Sequence, residues 1–419
     1  MELIIENVRS FCGRHSIPIK PLTLLVGENS TGKSTFLAML AHVSQAGFPS
    51  FRPSFNTPPF DLGTYDSIAT FRGGRYGRSG SFSIGFIRDG GPAEEKVLAT
   101  YTNSLGQPQL SELVAVWKEN ELRFESDGPA SYSGKATWTR KGELQKPVPV
   151  NFKNWELGAM EVPLVVALQF HCLQTLSPKG FPGAITAPQK VFLPASALAP
   201  VRTKPRRTYD EISDEFKPEG DHIPVLLAHM WQQEGGLPRQ HLFEALSEFG
   251  TKSSLFRKVG VRRLGKSPSD PFQIVVTTAG PPVNLPDVGY GVSQALPVII
   301  QSVLASEHRM LLLQQPEVHL HPRGQAALGS FFCRLVAREH KHFVIETHSD
   351  YLLDRVRIEV GQGTVPPENV LILFFDKKGL ATQIHPINLD KLGNVIGAPD
   401  SYRRFFLDEE INLVTRSGS

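Results

Sequence analysis

The sequence contains few cysteines and no long hydrophobic run. Its 419 residues include three cysteines, at positions 12, 172 and 333. An odd number of widely spaced cysteines indicates neither a disulfide framework nor a zinc site, and it is typical of a reducing compartment. No apolar segment approaches the roughly 18 residues that a membrane-spanning helix requires. Residues 1–6 carry acids within an apolar run, unlike a secretory signal. We therefore expect a soluble, cytoplasmic protein with no membrane partner.

A large surplus of charge of either sign is also missing. The formal net charge is +3, which is too small in a chain of this length to indicate nucleic-acid binding by itself. Hydrophobic residues make up 40% of the chain and charged residues 20%, as expected of a globular protein. The length exceeds that of one small domain and allows a large domain with insertions.

A phosphate-loop motif is present near the N-terminus. Residues 27–34 match the pattern G-x-x-x-x-G-K-[ST], and they lie between a predicted buried strand (residues 22–26) and a predicted helix (residues 36–43). Such a loop directs backbone N–H groups and the positive end of a helix at one point, which suits a phosphate. The alternative is a turn rich in glycine and serine that matches by chance. The motif predicts an ATP site formed by Gly27, Glu28, Asn29, Ser30, Thr31, Gly32, Lys33, Ser34 and Thr35.

Two side chains of this loop have predicted roles in phosphate chemistry. Lys33 would reach the β- and γ-phosphates of ATP, and the Ser34 hydroxyl would bind Mg²⁺. Both roles follow from the position of each residue in the motif.

The chain between the first helix and residue 185 differs in composition from the rest. Prolines and glycines interrupt residues 47–80, and residues 81–152 contain short strand-like segments separated by turns. Residues 163–176 are apolar and predict a helix. We expect a β-rich and helical arm inserted into a nucleotide-binding domain, with the domain formed by residues 1–48 and 186–385, the arm by 49–185 and a C-terminal extension by 386–419.

Two basic clusters leave two interpretations open. Phe71 and Tyr76 lie among three arginines in residues 71–78, and residues 202–207 read Arg-Thr-Lys-Pro-Arg-Arg. Arginines beside aromatic rings can hold a nucleic-acid backbone or stack on bases, so either cluster could contact DNA or RNA, and the second could also contact ATP. Alternatively, both are charged surface segments in water.

Strands and helices alternate in the C-terminal half. This alternation, after a β-meander in residues 1–26, predicts an α/β fold with a mostly parallel sheet covered by helices. Ligands of such sheets bind at the carboxyl ends of the strands. Three polar motifs lie at such ends or open the following helix: residues 287–294, 314–322 and 347–350. The first is a glycine-rich turn before a predicted helix over residues 295–305, and residues 370–375 predict the last strand.

With these motifs in this order, the chain resembles the ABC-type ATPases of the SMC/RecF-like group. Within that group it resembles the bacterial AAA_15/AAA_21-type proteins of anti-phage defence, such as the Septu and OLD-like ATPase subunits. The resemblance covers residues 1–45 and 185–380. It implies an ABC-type P-loop NTPase fold and a head-to-tail dimer, or a higher oligomer, with ATP held between the subunits.

The resemblance also implies roles for two later motifs. Residues 289–294 resemble the ABC signature, so Gly291, Ser293 and Gln294 would face the γ-phosphate of the ATP held by the other subunit. Alternatively, or in addition, Ser293 caps the following helix. His348 matches the switch histidine that contacts the γ-phosphate.

The Walker B motif departs from the family. Gln314 stands where the family has an acid that binds Mg²⁺, and Gln315 where it has the glutamate that activates water. An amide can bind a metal through its carbonyl oxygen without adding charge, but it cannot accept a proton at neutral pH. Gln315, His348 and Lys33 therefore occupy catalytic positions of an enzyme whose hydrolysis we expect to be weak or absent. Glu346 is a candidate substitute base.

Three functions remain open at this point. The chain has an ABC-type motif set and no nuclease motif, which favours an ATP-binding subunit that regulates a partner in anti-phage defence, and we expect that partner to be a nuclease effector. The basic clusters favour a DNA-repair ATPase instead. The two amides favour a scaffold in which ATP is structural.

Overall fold

A computed structural model of the protein describes residues 1–74, 77–89, 94–129, 131–140, 143–154, 163–176, 193–210, 213–232, 236–267 and 270–403. All structural statements refer to these residues. Some sequence-based expectations concern positions outside them, namely Arg75, Tyr76, Gly90, Gly91 and residues 177–192 and 404–419.

The described residues form both helices and strands. The α-helices are α1 (Lys33–Val43), α2 (Tyr65–Ile68), α3 (Leu164–Leu176), α4 (Ile223–Gln232), α5 (Leu237–Ser253), α6 (Tyr290–Leu304), α7 (Pro322–Glu339) and α8 (Asp350–Gly361). The strands are β1 (Glu2–Val8), β2 (Phe11–Pro18), β3 (Leu22–Gly27), β4 (Asn56–Thr57), β5 (Phe60–Asp61), β6 (Ser81–Asp89), β7 (Glu94–Ser104), β8 (Gln107–Trp117), β9 (Asn120–Ser126), β10 (Ser133–Arg140), β11 (Glu143–Leu144), β12 (Val148–Asn151), β13 (Ala195–Leu198), β14 (Lys258–Arg263), β15 (Phe272–Thr277), β16 (Val283–Asn284), β17 (Met310–Gln314), β18 (His342–Glu346), β19 (Val370–Lys378), β20 (Ala381–Leu389) and β21 (Val395–Ile396).

The chain divides into two compact units. The first contains Met1–Ile19, Asn29–Ala195 and Lys377–Gln383. The second contains Lys20–Glu28, Ser196–Asp376 and Ile384–Ser419.

An antiparallel sheet dominates the first unit. Its strand order is β11-β10-β9-β8-β7-β6-β1-β2, and β12 pairs with β10. Strand β1 pairs with β2 on one side and with β6 on the other, so the N-terminal strands and the strands predicted for residues 81–152 form one sheet. Alternating burial along β7 and β8 places one face of the sheet on the core, which contains the contacting rings of Phe55, Phe82 and Tyr101.

A largely parallel sheet dominates the second unit. Its strand order is β13-β17-β18-β3-β19-β20-β21, and the four central strands β17, β18, β3 and β19 run parallel to one another. Strands β3, β17 and β18 are nearly continuous apolar runs, as expected of strands covered on both faces. The predicted α/β class with a mostly parallel sheet is confirmed.

Helix boundaries in the second unit follow from local chemistry. Helix α7 begins with Pro322 after the N-cap His321, whose ring nitrogen accepts a hydrogen bond from the Arg323 N–H. Helix α8 begins after Ser349, whose hydroxyl oxygen accepts a hydrogen bond of 3.0 Å from the Leu352 N–H. Both helices therefore start directly after polar loops at the ends of β17 and β18.

Two predicted boundaries were wrong. The helix expected from residue 295 begins at Tyr290, because Gly291 packs closely on the His319 carbonyl and joins the first helical turn. The strand over residues 370–375 was expected to be the last, but β20 and β21 follow it and extend the sheet.

Candidate functional site

The phosphate loop has a backbone suited to anions. Gly27, Ser30 and Gly32 have φ angles of 137°, 61° and 102°, all in the left-handed region. Such residues turn successive N–H groups toward a common point, as in anion-binding nests. The N-cap of α1 is Gly32, and no acidic residue lies in the first turn of the helix. Both features favour an anion at this helix N-terminus.

The two ends of the loop are anchored separately, each within its own unit. A β-carbon at Gly27 would lie 2.2 Å from the carbonyl oxygen of Phe375, so only glycine fits there. Further along the loop, the Thr382 hydroxyl donates to the Thr31 carbonyl at 2.8 Å and contacts the Ser10 hydroxyl at 2.7 Å. These contacts fix the loop backbone on both sides of residues 29 and 30.

A cavity of about 490 Å³ lies at the carboxyl ends of three adjacent strands in the second unit. Strand β3 contributes Gly27 and Glu28, β18 leads to His348, and β19 contributes Phe374. The volume is in the range of small-molecule sites. Its position is also the one where parallel sheets bind ligands.

The far wall of this cavity comes from the chain that follows β21. Arg403 forms ion pairs with Asp350 at 2.8 Å and with Asp354 at 2.7 Å, and the Tyr402 ring packs edge-on against Phe374. The hydrogen bonds that Arg403 donates to Asp354 raise the pKa of Arg403. Tyr402 and Arg403 could not be predicted as part of this cavity, because they lie outside every sequence motif described above.

The signature residues are part of helix α6. The Ser293 hydroxyl donates to the Tyr290 carbonyl at 2.8 Å, inside the first turns of the helix. The N-cap is Gly289, so the alternative that Ser293 caps this helix is not supported. A β-carbon at Gly291 would lie 2.9 Å from the His319 carbonyl, and Gln294 is 1% exposed. The signature helix therefore packs against the loop after β17, and its contact with a second subunit's ATP stays a prediction.

The two amides of the Walker B position lie at the end of β17. Gln314 is the last residue of the strand, and its neighbour across the ladder is Glu346. Gln315 has a φ of 44°, and its N–H donates to the Glu346 carbonyl at 2.8 Å. A left-handed conformation is uncommon outside glycine and often marks functional loops. The structure thus places both amides at the same sheet edge as His348, which follows β18 by two residues.

Glu317 connects this loop to the switch position. It is 5% exposed, and its Oε1 accepts a hydrogen bond of 2.8 Å from the backbone N–H of His348. Burial raises the pKa of Glu317, while the His348 N–H and Arg202 act in the opposite direction. Glu317 thus ties the loop after β17 to the backbone of His348.

The basic cluster of residues 202–207 is not one exposed patch. Arg202 is 2% exposed and donates to the backbone carbonyls of Gln294, Gln314 and Gln315. Arg207 forms an ion pair of 2.7 Å with Asp287. The expectation of a charged surface segment in water is therefore wrong for Arg202.

The other basic cluster is folded onto its own unit. Arg72 donates to the Asn7 side chain at 2.8 Å, and Arg78 donates to the Ala69 carbonyl at 3.1 Å. The Arg78 guanidinium also lies over the Phe71 ring, 5.2 Å from its centre. The arginines described in this segment thus hold a turn together.

The described residues contain no group of three or more His, Cys, Asp or Glu side chains that could hold a metal ion. None of the helices in this part of the chain has the length and hydrophobicity needed to cross a membrane.

A family model described as "AAA domain, putative AbiEii toxin, Type IV TA system" matches residues 207–354. The matched segment is about a third of the chain and contains the signature helix, both Walker B amides and His348. It leaves out the phosphate loop. A search of curated proteins finds no match.

The solved structures with similar folds include heads of SMC proteins. The "SMC head domain from Thermotoga maritima" is 12% identical, with a TM-score of 0.43 over 92% of this chain and 97% of that one. A SmcHead bound to the C-winged helix domain of ScpA is 12% identical, with a TM-score of 0.44 over 93% and 98%. An Smc head with an extended coiled coil, bound to the C-terminal domain of ScpA derived from Pyrococcus furiosus, is 10% identical, with a TM-score of 0.42 over 100% and 99%. Similarity at this level carries no functional inference.

Proposed function

We propose that this protein is an ATP-binding subunit of the ABC type that dimerises around ATP and regulates a partner effector. The observation that carries the proposal is the phosphate loop, with its anion-binding backbone and a glycine required at position 27. The loop starts at the carboxyl end of β3, beside the strand that leads to His348. Backbone groups of the loop would hold the phosphates, and Lys33 would neutralise their charge.

Mg²⁺ would enter this site with the nucleotide. No cluster of carboxylates or imidazoles suitable for a metal exists in the described residues, so a site built from protein ligands alone does not fit. Mg²⁺ commonly takes one or two protein ligands together with substrate phosphates. From their positions in the motifs, the Ser34 hydroxyl and the side-chain carbonyl oxygen of Gln314 would be those protein ligands.

Hydrolysis of the bound ATP would be weak or absent. A carboxylate at position 315 would accept a proton from the attacking water, and the amide of Gln315 cannot. The ATP-bound state would then be long-lived. Such a state suits a protein that signals by whether ATP is bound. In this state His348 and Gln315 would lie near the γ-phosphate.

The effector would be a separate protein, and a nuclease is our proposal. The chain has no nuclease motif of its own, so a toxic activity would come from a partner. The description of the matching family as a putative toxin of a toxin–antitoxin system supports a role in bacterial defence. The signature helix of one copy and the phosphate loop of another would form the head-to-tail dimer.

The DNA-repair alternative has less support than before. Arg72, Arg78, Arg202 and Arg207 all have partners within their own unit. Direct binding of DNA or RNA would therefore depend on other groups. The scaffold alternative differs from our proposal only in turnover and in the absence of a partner.

The decisive experiment is a titration of the purified protein with ATP and Mg²⁺, followed by calorimetry and thermal unfolding. At 100 times the dissociation constant, ATP should stabilise the protein by about 2.7 kcal/mol. Lys33→Ala should lose this effect, and Lys391→Ala, a change of an exposed lysine, should keep it. Absence of ATP binding by the unaltered protein at millimolar concentrations would refute the proposal.

A further inference from the structure

Arg202 lies inside the second unit although its sequence neighbours are basic and exposed. It follows β13, and only 2% of its surface is accessible. Burial lowers its pKa to about 10, which still leaves it charged at neutral pH. A charged group at this depth is costly unless its donors are used, so its contacts show what it does.

The guanidinium of Arg202 joins two separate elements. Nη1 donates to the carbonyl of Gln294 at 3.2 Å, and Nη2 donates to the carbonyls of Gln315 at 3.3 Å and Gln314 at 3.5 Å. Gln294 belongs to the signature helix α6, whereas Gln314 is the last residue of β17 and Gln315 follows it. The planar fork of an arginine can bridge both at once, which a lysine cannot do with the same geometry.

Arg202 also interacts electrostatically with the carboxylate that holds the switch loop. The charges of Arg202 and Glu317 act on each other, and Glu317 accepts a hydrogen bond from the backbone N–H of His348 through Oε1. Among the described residues, neither Arg202 Nε nor Glu317 Oε2 has a hydrogen-bond partner, although both atoms are buried. A movement that joined these two atoms would offset the cost of burying each of them without a partner.

We propose that Arg202 is a positioning residue that couples the signature helix to the strand ends near the γ-phosphate. ATP of a second subunit, bound at the signature, would move α6 and with it Arg202. Arg202 Nε would then meet Glu317 Oε2, and Glu317 would fix the backbone of His348 for the chain's own ATP. This inference rests on the proposed function. It adds that the two ATP sites of a dimer communicate through one buried guanidinium.

If Arg202 couples the two sites, its replacement should affect ATP-dependent dimerisation much more than ATP binding to the monomer. Binding of ATP to the isolated monomer should change by less than about threefold in Arg202→Met, because the phosphate loop is unaltered. ATP-dependent dimerisation should weaken at least about tenfold, equal to 1.4 kcal/mol. The Hill coefficient for ATP should exceed 1 in the unaltered protein and fall to about 1 in the variant.

The test measures ATP affinity by calorimetry at low protein concentration and dimerisation by sedimentation velocity. Lys391→Met removes one positive charge at an exposed position of the same unit, outside every candidate motif, and should leave both values unchanged. Arg202→Met/Glu317→Gln removes both buried charges, so it should recover the stability that Arg202→Met loses while dimerisation stays weak. Arg202→Lys keeps the positive charge but lacks the planar fork, so compared with Arg202→Met it should restore dimerisation only in part.

Two results would overturn the inference in different ways. If the unaltered protein binds no ATP, both the proposed function and this coupling fail. If it binds ATP and dimerises, and both Arg202→Met and the double variant dimerise equally well, only the coupling fails.

Discussion

The ring of His42 stacks on the ring of Phe55, with 4.2 Å between their centres and 25° between their planes. Phe48 packs against the same imidazole edge-on at 5.8 Å. His42 is the last basic residue of helix α1 and is buried in the first unit. Burial is the main cause that lowers its pKa to about 4, so the ring is neutral at physiological pH.

This stacking predicts a loss of stability in mild acid. An unfolded histidine takes up a proton near pH 6.5, and His42 in the folded protein does so only near pH 4. The unfolded state therefore binds more protons between these values, and stability falls as pH decreases through that window. The contribution of His42 to the free energy of unfolding should drop by about 3 kcal/mol in total.

The measurement is urea denaturation between pH 7 and pH 4.5, compared with His42→Phe. The phenyl ring keeps the stack but cannot take up a proton, so the stability of the unaltered protein should fall relative to that of His42→Phe as pH decreases. The exposed His241 offers a control, because His241→Phe should not remove the acid sensitivity. If the stability of His42→Phe and of the unaltered protein changes equally with pH, His42 is not the source of the acid sensitivity.

Gly27→Ala should be strongly destabilising. The added β-carbon would lie 2.2 Å from the Phe375 carbonyl oxygen, and a φ of 137° is unfavourable for alanine. We expect a loss of about 3 kcal/mol in the free energy of unfolding, together with a loss of ATP binding. Gly280→Ala in the same unit meets no atom within 4 Å and should change stability by less than about 0.5 kcal/mol. Similar denaturation midpoints for the two variants would argue against the close contact.

Glu317→Ala and Glu317→Gln should differ. Alanine leaves the His348 N–H without this acceptor and removes the negative charge that acts on the buried guanidinium of Arg202, so we expect a destabilisation of about 3 kcal/mol. Glutamine keeps an oxygen for the His348 N–H, and it should cost about 1 kcal/mol. Denaturant unfolding measures both, with the exposed Glu368→Ala as control. A larger effect of glutamine than of alanine would contradict this account.

Gln314→Asp/Gln315→Glu should restore ATP hydrolysis. The aspartate adds a negative charge near Mg²⁺, and the glutamate supplies the missing general base, so phosphate release should increase at least about a hundredfold. Lys33→Ala in the same background should abolish the new activity, which excludes a contaminant. No increase would mean that the amides are not the limiting defect.

The sequence predicted the elements that depend on local pattern. Strands β3, β17 and β18 are apolar runs, and the polar residues at their ends lie where a parallel sheet brings them together. The start of α6 was placed too late, because Gly289 and Gly291 are typical of a turn. The place of Gly291 in the first helical turn depends on the close approach of His319, which is remote in sequence.

Arg202 shows why part of the site was not predictable. Its neighbours are basic, and this pattern is typical of an exposed segment. Its burial depends on three carbonyl acceptors that lie more than ninety positions further along the chain. The segment of Tyr402 and Arg403 was missed for the same reason, since only the folded chain brings Arg403 to Asp354.

The pairing of β1 with β6 decides how this protein can be shortened. The five register pairs between them hold the N-terminal hairpin to the strands inserted after α1. Deleting residues 49–185 as if they were a separable module would leave β1 with a row of open N–H and C=O groups along one edge. Exposed edges of this kind recruit other chains, so we expect the shortened protein to aggregate. An insertion at the tip of the turn after β7, at the fully exposed Leu105, leaves that edge covered.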